Sequence, residues 1–296
     1  MLLLPVAAAV GASLGWASGI VLAQQPARRL GAFEFTRIQL TACAALVSLL
    51  SAGLGYWSAI PWHHWPSFLL SAVFGILAGN LAMIECLRRG GPRRTELLLA
   101  LRGPVVALMA YLWFGETLNL WDVAGGLIVI SGIWLSVQFS GPETSRSDRV
   151  SGSLGIVVLL GLFAVVSQGF GFLVVKPAMA EGMPPLAVSA VRLLGAAFLI
   201  SIIGLWPAEA FRPGEKLTPS LLGRTILPGF IGYVVSSSLL LYAFANFHAG
   251  LAAVLGSLSP VLVLPILWVR EGRAPAPRAV FGAVAAIVGT AIIVLT

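Results

Sequence analysis

Charge is scarce in this chain of 296 residues: 18 Lys and Arg with 11 Asp and Glu make 10% of it, against 58% hydrophobic residues. A soluble core of this length cannot hide so much apolar surface, so a freely soluble enzyme or binding module is excluded and lipid is the expected solvent. Cysteine is rarer still. Its two copies, Cys43 and Cys86, sit inside or near the ends of apolar runs, which excludes a disulfide scaffold. The three histidines, His63, His64 and His248, fall at run ends without metal-ligand spacing, so no metal and no other cofactor is expected. No glycine-rich loop ends in Lys-Ser or Lys-Thr, which leaves this chain without a phosphate cradle for an ATP-driven pump. Segments of about ten residues alternating polar and apolar, the mark of a membrane β-barrel, are also missing. Polar groups do not gather at one interface as a membrane enzyme would require, and no catalytic residue is assigned.

What is present is a series of apolar runs near 20 residues, the length that crosses a hydrocarbon core of roughly 30 Å at about 1.5 Å per residue. Hydropathy and breaks predict ten spanning helices, at about 3–24, 32–55, 66–88, 95–114, 119–140, 153–175, 185–206, 223–246, 249–269 and 277–296. The first run lacks a charged start and a cleavage site, and reads as a span, not a removed signal. Of the 18 basic residues, sixteen fall on the side reached by odd-numbered loops and two, Lys176 and Arg192, on the other. The positive-inside rule therefore puts the odd loops in the cytoplasm and both termini outside. It also explains the net charge of +7 without nucleic acid. Three domains of sequence follow: residues 1–140 with five helices, a cytoplasmic linker at 141–152, and residues 153–296 with five more. Five is odd, so the second half is inserted upside down relative to the first.

The halves are related. Pro104, Glu116, Gly125 and Gly132 are echoed in order by Pro260, Glu271, Gly282 and Gly289, Arg37 by Arg192, and Gly75 by Gly232. Ten spans in two halves, an Arg early in spans two and seven, a Pro in spans four and nine, acidic turns at 115–117 (GET) and 270–272 (REG), and glycine-spaced spans five and ten resemble the EamA branch of the drug/metabolite transporter superfamily. The second turn departs from the usual Gly-Glu order. The resemblance implies an all-α membrane protein of two inverted five-helix repeats. Spans one to four and six to nine surround a central cavity, and five and ten lie outside it. It points to exporters of amino acids and other small metabolites, and to the plasma (inner) membrane of a bacterium. The partners implied are a small-molecule substrate and the lipid bilayer, and a monomer suffices.

Candidate site residues follow from the cost of polar groups in lipid. Pro104 and Pro260 fall near mid-span, where a proline frees a carbonyl that only protein or water can satisfy; paired across the repeat, they mark helix breaks that gate a binding site. Arg102 lies roughly 10 Å inside its span, where a charge costs at least about 2.5–3.5 kcal/mol. It either binds a substrate carboxylate, or pairs with Glu85 on the neighbouring helix or snorkels outward. Arg37 and Arg192 are read as structural, each reaching an interface or the preceding loop. Asn80, Gln168, Ser237 and Ser259 offer uncharged hydrogen bonds to a substrate. Serines such as those at 236–238 also commonly serve packing. Trp16 stands beside the ladder Gly11, Gly15, Gly19; the ladder suits a close helix contact, and the indole lines the cavity or faces lipid. Every acidic residue lies within a turn or two of a span end or in a linker, which argues against proton coupling through an intramembrane carboxylate, with Glu85 the nearest exception. The expected function is a secondary transporter exporting small amphipathic metabolites, amino acids foremost, by alternating access and facilitated diffusion. Export of cationic drugs, lipid flipping and a non-transporting scaffold remain as alternatives.

Overall fold

The structure, a computed structural model, describes residues 3–116, 119–138, 153–207, 211, 214–271 and 276–295, and every regular element among them is helical. The linker at 141–152, Thr117 and Gly272 lie outside the described residues. Ten helical rods follow the apolar runs: α1 Leu3–Leu30, α2 Ala32–Gly53, α3 Trp62–Gly91, α4 Arg94–Phe114, α5 Leu120–Gln138, α6 Leu154–Ala180, α7 Pro185–Ile203, α8 Pro219–Asn246, α9 in two pieces, Ala249–Gly256 and Ser259–Glu271, and α10 Pro277–Leu295. The first rod continues to Leu30, beyond the end expected at 24, and carries Arg28 and Arg29 in its last turn. Hydropathy stops where the lipid stops, whereas the helix goes on into the polar interface. A single residue then reverses the chain: Gly31 at φ 86° takes the left-handed region that a side chain would disfavour.

Packing relates the halves by a two-fold exchange. Helix α5 packs along α10, α2 along α7, and α4 against the first piece of α9; α1 packs along α8, and α6 along α3. Replacing each helix by its counterpart five places on converts every one of these pairs into itself or into another pair of the set, the signature of a self-complementary interface. The α5–α10 seam shows it at atomic scale. A Cβ built on Gly132 would lie 2.5 Å from the Gly282 carbonyl oxygen, and one on Gly289 would lie 2.6 Å from that of Gly125. Small residues let these backbones touch, which is how helices associate where lipid removes the usual hydrophobic drive.

Two kinds of irregularity recur in both halves. Helices α3 and α8 loosen into π-helical segments, Ser71–Ala78 and Phe230–Ser236, around the paired glycines Gly75 and Gly232. The α-helical bonding of α4 and α9 is interrupted by a two-residue turn, at Ala100–Leu101 and Ser257–Leu258. The prolines begin the piece that follows each break: Pro104 is the third residue of Arg102–Phe114 and Pro260 the second of Ser259–Glu271. A first-turn amide has no acceptor in its own helix, so proline costs little there. At the second break the Ser13 hydroxyl of α1 donates to the Leu255 carbonyl at 2.8 Å, so a freed backbone group is satisfied inside the protein.

Candidate functional site: a cavity between the halves

A cavity of about 100 Å³ lies among the eight helices α1–α4 and α6–α9, and no described residue of α5 or α10 lines it. All six candidate binding residues, Trp16, Asn80, Arg102, Gln168, Ser237 and Ser259, stand on its wall. The cavity is off centre. Toward the α1–α2 and α3–α4 links it reaches Ala23, Phe35, Leu87 and Glu96, whereas toward the opposite face it stops at Phe172, Arg192, Ser237 and Ser257, the last about 12 Å from the start of α9 by helical rise. Beyond that level a buried apolar cluster that includes Val174, Met179, Phe244 and Ala252 fills the space.

Arg102 opens the first piece of the site. It is buried, its Nη2 donates to Gln168 Oε1 at 2.6 Å, and its guanidinium lies 5.0 Å from the Trp16 ring centroid. Gln168 is thereby fixed, and its Nε2 donates to Asn80 Oδ1 at 3.1 Å and to the Gly79 carbonyl at 3.3 Å. The pairing with Glu85 does not form; Glu85 instead holds Arg88 and Arg89 of its own helix at 2.5 and 2.6 Å. The ladder Gly11, Gly15, Gly19 faces α8 at Leu239, Ser236 and Pro228, and leaves Trp16 on the cavity wall. Of the three serines, Ser237 lines the cavity, while Ser238 shares a 3.1 Å hydrogen bond with Ser189.

Arg192 departs from the reach expected of it and lines the cavity. It is 1% exposed and reaches neither interface nor loop. Its Nε donates to Ser71 Oγ at 2.6 Å, and its guanidinium lies over Phe172 at 4.6 Å. Trp16 and Phe172 meet edge to face at 6.4 Å, so two guanidiniums flank one aromatic pair. Arg37 does behave structurally, paired with Glu34 on its own helix at 2.7 Å. Sequence reasoning also missed Glu96. It is only the third residue of α4, near the span end as counted, yet its side chain is buried on the cavity wall. Position along a helix does not say which way a side chain points.

At the opposite face, His63 and His64 at the start of α3 converge on the carboxylate of Glu181, just past the end of α6, at 3.0 and 2.8 Å. Hydrogen bonding to His64, then to His63, holds the Glu181 carboxyl below its ordinary range. The three ligand atoms lie within 4.8 Å of one another, a grouping the linear spacing did not reveal. Nearby, Glu116 accepts from Lys176 Nζ and from the Ala249 amide, the latter at 2.9 Å. Cys43 and Cys86 are both buried and free, as their positions in apolar runs implied.

Comparison with known proteins decides the family. The model of the EamA-like transporter family matches residues 3–138 and, a second time, residues 155–295. The chain belongs to the EamA-like transporter family. A solved crystal structure, titled only as that of a protein, covers 98% of this chain with 96% of its own length at a TM-score of 0.78 and 18% identity, a likeness of fold. Among curated proteins none matches. Members of this family are transporters and not enzymes, and this EamA-like protein is an integral membrane transporter of small solutes.

Proposed function

We propose that this EamA-like protein exports small amphipathic metabolites, amino acids foremost, by alternating access of a cavity held between its inverted halves. The observation that carries the reading is the convergence of Trp16, Asn80, Arg102, Gln168, Ser237 and Ser259 on that one cavity. Aromatic surface for an apolar body, with a few fixed amides, hydroxyls and a guanidinium for a polar end, is the usual make-up of a small-molecule site. Two buried guanidiniums against one carboxylate speak against cationic drugs. Enclosure by eight helices speaks against a lipid groove, and a scaffold has no use for buried charge. The sixteen-to-two distribution of basic residues supports cytoplasmic odd loops, termini outside, and a plasma (inner) membrane setting. In this orientation the off-centre cavity leans toward the cytoplasm, where an exported solute would load. Glu96, buried on the wall, is the exception among the described carboxylates; the others near span ends support transport driven by the solute's own gradient.

The test is counterflow in proteoliposomes loaded with L-leucine or L-phenylalanine and offered the labelled solute outside. Exchange well above empty liposomes, without uphill accumulation under an imposed pH gradient, is the expected outcome. No exchange would remove the amino-acid assignment, and accumulation driven by the pH gradient would replace facilitated diffusion by proton coupling.

A further inference from the structure

Arg192 has more donors than the protein uses. A guanidinium carries five N–H groups, and here only Nε is engaged, by Ser71; Nη1 and Nη2 are buried and have no partner among the described residues. Its charge also faces no carboxylate, only the Phe172 ring at 4.6 Å. The described charged residues on the cavity wall are Arg102, Arg192 and Glu96, and Glu96 lies on the same helix as Arg102, toward the other end of the cavity. Removing one member of a buried pair is costly, and a buried cation with no anion at all is a structure waiting for one.

The wall beside it is built of small residues. Gly75 and Gly171 bring α3 and α6 into backbone contact beside the guanidinium, and a Cβ on either would lie 3.3 or 3.5 Å from Nη2. Ser71 is itself fixed, donating to the Gly171 carbonyl at 2.5 Å. The fork is therefore oriented before any ligand arrives. A planar oxyanion matches two parallel N–H groups. The edge-to-face pair of Trp16 and Phe172 beside it offers room for an apolar body.

We infer that Arg192 is the anion anchor of the cavity, binding the carboxylate of the transported solute at the sealed end while its apolar body lies against Trp16 and Phe172. The inference rests on the transporter reading and narrows it: the solute must carry a carboxylate, and an ammonium group is optional.

The purified full chain in detergent and chloride-free buffer is offered three probes of one ring size: L-phenylalanine, phenylacetate and phenethylamine. Both carboxylates are expected to raise the melting temperature by mass action, and the amine is not. In Arg192→Gln the apparent affinity for the carboxylates should fall about tenfold or more, as loss of a charge-assisted pair implies. Arg192→Lys, which keeps the charge without the fork, should fall between the two. The unliganded Arg192→Gln should melt no lower than the native chain, because an unpaired buried charge has been removed; a structural arginine would give the opposite. Equal stabilisation by phenethylamine, stabilisation by neither carboxylate, or carboxylate binding preserved in Arg192→Gln would each overturn the inference. Arg192-dependent stabilisation by chloride alone would assign the subsite to an inorganic anion and overturn it as well. Counterflow of leucine unaffected by Arg192→Gln would leave the transporter reading standing and remove only the anchor, whereas absent counterflow in the native chain strikes the transporter reading itself.

Discussion

Arg102 shows how a guanidinium is kept inside a membrane protein. An intramembrane charge costs at least about 2.5–3.5 kcal/mol. For Arg102 a hydrogen bond to a charged group contributes about 1.5–3 kcal/mol, and a desolvated cation–π contact about 2 kcal/mol. The bond to Gln168 and the Trp16 ring at 5.0 Å thus offset the cost. Gln168→Ala is expected to lower stability by about 1–3 kcal/mol, because it strands both Arg102 and the Asn80 carbonyl. The same change made in Arg102→Met should cost clearly less. Melting of the four proteins of that double-mutant cycle checks it, and additive effects would show that the two side chains are not coupled. The difference between the arginines of α2 and α7 was readable in the sequence. Arg37 has Glu34 three residues before it, a ready partner on the same face, whereas the third residue before Arg192 is Ser189. Repeat-related positions had suggested a shared role, but a single replaced neighbour removes the charge that made the role structural. Glu96 was illegible for another reason: it follows Arg93, Arg94 and Thr95 at the start of an apolar run, as an interfacial acid would, and only the packing of α4 turns it toward the cavity.

At the scale of the helix, the apolar runs located all ten rods, since lipid thickness fixes the minimum length of any span. The ends were less legible where helix continues into the interface, as at Leu30. The π-helical segments had no signature beyond the glycines, because they follow from tertiary contact: Gly75 meets Gly171, and Ser71 bonds the Gly171 carbonyl. Irregular backbone at such places is common where function sits. The glycines of α5 and α10 do a different job. Gly289→Leu is expected to destabilise the protein by about 1–3 kcal/mol, the usual range for overpacking, since its side chain would meet the Gly125 carbonyl and Val129. Gly126, which has nothing within 4 Å of its Cβ position, is the control and should accept Leu with little change. Thermal melting distinguishes them, and equal losses at both sites would mean that the seam does not hold the two helices.

For the whole molecule, the two-fold pairing and the off-centre cavity belong together. Inverted halves that adopt slightly different conformations give a cavity nearer one face, and exchanging those conformations gives the opposite access. The face away from the cavity is held by its apolar cluster and by Glu116, which joins the end of α4 to the short helical end of α6 through Lys176 and to the start of α9 through the Ala249 amide. Gly115 at φ 65° ends α4 in the left-handed conformation and sets the following residue into that junction. Under the alternating access proposed above, opening this face would separate the ends of α4, α6 and α9, and Glu116 is expected to act as a latch on that equilibrium. Glu116→Gln removes the charge while retaining a side chain that can accept from Ala249. Loss of a charge-assisted bond of about 1.5–3 kcal/mol, at 1.4 kcal/mol per tenfold, should raise the population open at this face about tenfold or more if the bond is broken in that state. The reporter is Ala252→Cys, at a position fully buried in the cluster near the start of α9, in a chain with Cys43 and Cys86 replaced. Labelling of that thiol by a membrane-impermeant maleimide should quicken by a similar factor in Glu116→Gln and should slow again when a carboxylate solute holds the present state. Equal labelling with and without the Glu116 charge would mean that the apolar cluster alone keeps this face shut.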